Sequence, residues 1–174
     1  MVQQDERTQQ ALAYIRHQAS KPLASLRVLA VRTAADCNRR LEGISEEQAH
    51  FKPGNEWSVK EVLDHLIYST ARVVIEPVRD LVDGKAPRPF TPDDSGGRAM
   101  QSIQELRKEM GRLLEETVVL VGSVPEADMS RGTWEHPSLG PLNLKELIAL
   151  HRLHVMDHVQ QIEKIKVDPG YPAG

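Results

Sequence analysis

The stretch NLKELIALHRLHVMDHVQQIEKIK, residues 143–166, decides how the rest of the chain is read. At about 100° per residue, Leu144, Leu147, Ile148, Val155, Val159, Ile162 and Ile165 fall on one stripe. Lys145, Arg152, Asp157, Gln160, Glu163 and Lys164 fall outside it. The pattern predicts a long amphipathic helix with one face in a core. His151, His154 and His158 lie inside that apolar stripe. Two imidazoles at i and i+4 stand roughly 6 Å apart, and both reach one divalent ion at about 2.0–2.1 Å. His151 and His158 are two turns, about 10.5 Å, apart, so the pair is either 154 with 158 or 151 with 154. Either pair is a half-site that needs a third ligand.

Working outward, the same grammar recurs at helix starts. Asn143 and Glu146 form a capping box, with Leu142 and Leu147 as its hydrophobic staple. Ser58 and Glu61 form another, with Trp57 and Val62 as staple, opening a helix whose apolar face holds Val59, Val62, Leu63, Leu66, Ile67, Val73 and Val74. Pro77 is expected to kink or end that helix before Asp83-Gly84. A first bundle helix is predicted over Leu23–Leu41, with Cys37 as a small core residue. A third is predicted from about Gly97 to Val124, through Ala99, Ile103, Leu106, Met110, Leu113, Thr117 and Leu120. Nothing between these segments reads as an alternating strand.

These elements give an all-α fold, a four-helix bundle over residues 23–166. Residues 1–22 form an extra N-terminal helical arm set off by Ser20-Lys21-Pro22, and residues 167–174 form a tail. The segment 85–97 reads as an exposed irregular loop, and connections of about 16 residues leave room for a crossover. Trp57 and Trp134 are expected as packing anchors at helix starts.

The 174 residues suit one domain with a sizeable core. Acids and bases are interspersed to a net charge of −3, which argues against nucleic acid or a membrane surface as partner. One cysteine forms no internal disulfide, and no apolar run approaches 20 residues, so a cytoplasmic location is expected. There is no phosphate-binding glycine loop and no Ser-His-Asp grammar.

Of the histidines outside the last helix, His65 is the best-placed third ligand, because it lies on a helix at the margin of the apolar face. Glu61, Tyr68 and Arg72 project near the same side, and His151 is a candidate for contacts around the ion or substrate. His17, His50 and His136 read as surface or loop residues.

Three motifs together resemble the DinB/YfiT-like superfamily of metal-binding bundles: WSVKEVLDHL at 57–66, HPSLGPL at 136–142 and HVMDHVQQI at 154–162. The resemblance spans roughly Leu23 to Lys166. It implies a right-handed, up-down-down-up bundle with a crossover connection and one divalent ion held near one end by His65, His154 and His158. It also implies a metal-dependent transferase or hydrolase acting on a small molecule, with low-molecular-weight thiols as one substrate class, and a homodimer. Zinc or nickel is expected first, with iron or manganese also accepted by three imidazoles. The alternatives are a non-catalytic metal-binding protein and an interaction or dimerisation module that has lost its chemistry.

Overall fold

The computed structural model describes residues 2–91, 97–98, 100–129 and 132–173, with side chains from residue 6 onward. Its elements are α1 (Val2–Ala19), α2 (Leu23–Leu41), α3 (Glu46–His50), α4 (Val59–Ser69), a π-helical stretch (Thr70–Ile75) and α5 (Glu76–Val82). Then come α6 (Ile103–Ser123), a 3-10 turn (Glu126–Asp128), β1 (Trp134–His136), β2 (Gly140–Leu142) and α7 (Leu144–Lys166).

The helix starts are written locally. Ser58 accepts from Glu61 N while Glu61 caps Ser58 N, and Asn143 with Glu146 does the same for α7. Two further boxes, Ser45 with Gln48 and Ser102 with Glu105, open α3 and α6. The second of these corrects the expected third helix. α6 begins at Ile103, where Ser102 Oγ accepts from Glu105 N, and Gly97 and Arg98 lie in a turn before it. Ala99 lies outside the described residues.

Pro77 does not end its helix. Proline has no N–H to donate to the carbonyl four residues back, and the chain widens its register just upstream, where Glu76 N–H donates to Ala71 O. The run then continues to Val82. The absence of strands is also corrected. β1 and β2 pair antiparallel, Trp134 opposite Leu142 and His136 opposite Gly140, around the turn Pro137-Ser138-Leu139. Gly140 closes that turn with φ of 72°, a conformation that costs glycine least.

Cross-helix contacts give the topology. α2 packs against α6 and α7, and α4 with its continuation packs against the same two, so α2 and α4 sit diagonally. Arg27, early in α2, donates to Val121 O and Val124 O near the α6 end, which makes α2 and α6 antiparallel. Arg152 meets Asp36 and, further along both helices, Glu163 meets Arg40, which makes α2 and α7 parallel. Lys60 and Ile103 N share the Glu46 carboxylate, and Arg79 pairs with Glu116, so α4–α5 and α6 run together. The bundle is therefore up-down-down-up, with the long 83–102 connection returning the chain between two parallel neighbours.

The core is continuous through Leu63, Leu66 and Ile67 of α4, Leu106, Met110 and Leu114 of α6, and Val155, Val159 and Ile162 of α7. Cys37 is fully buried there, and burial pushes its thiol up to about 12, which makes it an inert packing residue. α1 lies along α7, with Ile15 fully buried and Leu12 packed on a cluster that includes Leu23, Leu26, Val78, Leu144 and Leu147. Among the described residues no helix is long and apolar enough to cross a membrane.

Candidate metal centre

α4 and α7 run antiparallel, since His65 faces His154 and, just past the end of α4, Thr70 of the π-helical stretch faces His151. Across that seam His65 Nε2 lies 3.0 Å from His154 Nε2, and His158 Nε2 lies 3.1 Å from the same atom. One ligand atom from each of the three lies within 4.8 Å of the others. The rings meet edge-on, at 79° for His65 with His154 and 86° for His154 with His158. Nitrogens therefore converge where stacked rings would have held them apart.

The proton inventory shows what such a cluster fits. His158 Nδ1–H donates to Gln161 Oε1 at 2.8 Å, so the His158 Nε2 presents a lone pair. His154 Nε2 faces two neighbours at once, and a single N–H satisfies only one of them. A divalent cation satisfies all three lone pairs, and metal–nitrogen bonds of about 2.0–2.1 Å put ligand nitrogens roughly 3–3.4 Å apart, close to the two separations measured from His154 Nε2. Burial pushes His154 down to about 3, helped by the neighbouring charges of His158 and His65. Burial also lowers His158, against the opposing effect of its hydrogen bond to Gln161. Both rings are thus neutral near pH 7, the state a ligand needs.

The family profile of the DinB superfamily matches residues 29–162. The chain belongs to the DinB superfamily. It is 27% identical over 145 residues to the uncharacterized protein YuaE of Bacillus subtilis (strain 168), covering 72% of this chain and 88% of YuaE. Its fold is similar to YfiT from Bacillus subtilis, with a TM-score of 0.70 and 16% identity over 88% of this chain and 90% of YfiT. YfiT is described as a probable metal-dependent hydrolase with an unusual four-helix bundle topology.

In this DinB bundle a cavity of about 240 Å³ opens beside the histidines. His65 and His154 of the cluster form one of its walls. Tyr68, Ser69, Val73 and Val74 come from α4 and the π-helical stretch, Leu150 and His151 from α7, and Phe90, His136, Pro137 and Ser138 from the loop and hairpin. The roof is tied down twice: Tyr68 Oη donates to Thr91 O at 2.7 Å, and Trp134 Nε1 donates to Arg88 O at 2.9 Å.

The remaining sequence candidates divide. His151 is buried, at 3% exposure, with Nε2 3.4 Å from Thr70 Oγ1, and lies on the cavity rather than in the cluster. Burial pushes it down to about 4. Tyr68 also lines the cavity. Glu61 is held at the helix start by Ser58 N and Lys52 Nζ, both at 2.7 Å. Arg72 is exposed, forks onto Glu76 at 2.8 and 3.0 Å, and lines a separate cleft with Asp80 and Arg88. Asp64, next to His65 in sequence, pairs with Arg98 at 2.8 Å.

Three residues carry more of the site than their sequence positions suggest. Expected as a packing anchor, Trp57 is 41% exposed, stacks on His158 at 6.1 Å and 7°, and leans over His65 at 5.3 Å. Trp134 does serve as an anchor, but from a strand. His136 is no plain loop residue: its Nδ1 accepts from Ser138 N and Leu139 N, burial lowers its pKa, and it lines the cavity. Thr70, within the π-helical stretch, supplies the hydroxyl facing His151. The π stretch follows from Pro77, which is the one sequence signal that could have drawn attention to Thr70.

Proposed function

We propose that this chain is a metal-dependent hydrolase acting on a small molecule, with His65, His154 and His158 as the ligands of one divalent ion. The observation that carries this is the convergence of three imidazole nitrogens at the wall of a cavity large enough for part of a substrate. A three-nitrogen site supplies a Lewis acid with coordination positions left open for water or substrate, the arrangement of catalytic rather than closed structural centres. Gln161 fixes the tautomer of His158, and Trp57 covers the outer face of two ligands. The description of YfiT as a probable metal-dependent hydrolase supports the hydrolytic reading. Zinc and nickel are the first ions to load, then iron and manganese.

Thiol transfer is the second reading. An open groove lined by Glu56, Asp157, Gln160, Gln161 and Lys164 begins at the residue that holds His158, and its mixed charges suit a polar low-molecular-weight thiol.

The test is elemental analysis of protein purified without a nickel column, beside the His154→Ala/His158→Ala double variant. Near-stoichiometric metal in the native chain, lost in a variant that keeps its helical signal, supports the ligand set, and ester and thiol panels then separate hydrolysis from transfer. Failure to bind any of the four ions at stoichiometry overturns the enzyme reading.

A further inference from the structure

We propose that the substrate carries an uncharged, apolar arm, seated in the cavity between the π-helical stretch and α7 while its reacting group faces the three histidines. This rests on the metal-enzyme reading and adds the class of substrate. The cavity shares His65 and His154 with the cluster, so a group placed in it is next to any ion held there. Its other surfaces are largely hydrocarbon: Val73, Val74, Phe90, Pro137 and Leu150. Among the described residues that line it there is no Asp, Glu, Lys or Arg.

Three of its polar side chains already have partners. Tyr68 Oη donates to Thr91 O, Ser69 Oγ donates to Leu66 O, and the His136 Nδ1 accepts from two backbone N–H groups. A charged arm would lose its hydration there and meet no charged side chain of opposite sign among the described lining residues, whereas an alkyl or aryl arm gains from leaving water. At about 240 Å³ the space is below the 300–1,000 Å³ usual for a whole drug-sized ligand, so it takes one arm of a substrate. Charged portions have the open groove lined by Glu56, Asp157 and Lys164.

The experiment uses the zinc-loaded full chain and straight-chain hydroxamates, from acetohydroxamate to octanohydroxamate, whose head group chelates zinc while the tail varies. Affinity is read by calorimetry. Each added methylene is expected to tighten binding about threefold to fourfold until the cavity is full, roughly 100-fold over four methylenes. Leu150→Trp is expected to abolish the dependence on chain length while leaving zinc content unchanged. Val73→Trp serves the same purpose if the first variant misfolds, since both positions are only half-buried. A flat series on zinc-loaded protein overturns the inference and leaves the metal reading intact, and so does a chain-length gain that survives both tryptophans. If zinc does not bind, the series is run with nickel, iron or manganese, and failure of all four ions to bind overturns the three-histidine reading and this inference with it.

Discussion

His158 Nδ1 stands 2.8 Å from Gln161 Oε1, one turn further along α7, and that bond decides which nitrogen of His158 faces His154. An amide oxygen only accepts, so the ring proton is held on Nδ1 and the Nε2 lone pair is aimed at the cluster. The side-chain partner of a ligating imidazole sets both its tautomer and its basicity. Gln161→Leu is therefore expected to weaken metal binding by about 10–100-fold with little change in thermal stability. Competition against a chelator of known affinity measures it, and unchanged affinity would remove Gln161 from the centre.

Trp57 gives the centre its own optical reporter. Its ring stacks on His158 and leans over His65, whereas Trp134 is buried beneath Phe90 and His136. Titration with nickel is expected to quench much of the tryptophan emission with one-to-one stoichiometry, and Trp57→Phe should lose that response. Because Trp57 is 41% exposed, the substitution should cost under about 1 kcal/mol. Quenching retained in Trp57→Phe would place the ion elsewhere.

The buried His151 makes the metal-free chain sensitive to acid. Burial pushes its folded value down to about 4, while in the unfolded chain it keeps an ordinary value near 6.5. Between those two pH values the unfolded state binds the extra proton, so stability falls as pH drops from 6.5 to 4 and is unaffected by this group above 6.5. Melting temperatures of metal-free protein across pH 4–8 should show that slope, reduced in His151→Gln. A melting temperature that rises on acidification would contradict it.

Asp64 neighbours a proposed ligand and yet serves the fold. Its carboxylate is 6% exposed and meets Arg98 at 2.8 Å, fastening the end of the long 83–102 connection to α4. Asp64→Ala should cost about 1–3 kcal/mol, less than for a fully buried pair because Arg98 is part-exposed. Metal affinity should stay within a few-fold of the native chain. Denaturant unfolding with and without zinc separates the two effects, and loss of metal without loss of stability would assign Asp64 to the centre.

What the sequence determined by itself is what lies within one or two helical turns. The capping boxes at Ser58–Glu61 and Asn143–Glu146 span three residues, so the starts of α4 and α7 are legible, as is the i, i+4 spacing of His154 and His158. The apolar stripes and Cys37 follow from helical periodicity and burial. Misjudged elements had their controlling signal in short-range chemistry that competes with periodicity. Ser102 and Glu105 start α6 later than its apolar spacing suggests, Pro77 shifts register upstream instead of breaking the helix, and three-residue strands are too short to alternate visibly.

Only the tertiary structure decided the rest. Residues 65 and 154 stand 89 positions apart, and their nitrogens meet because α4 runs antiparallel to α7 in an up-down-down-up bundle. The roof over the cavity comes from a loop and a hairpin that no helical pattern encodes. Trp57 covers two histidines because of the angle at which its chain enters α4. Periodicity specifies which face of each helix is buried, but which faces meet is set by long-range packing of whole apolar surfaces, and only that packing gathers a half-site on one helix and a single histidine on another into one centre.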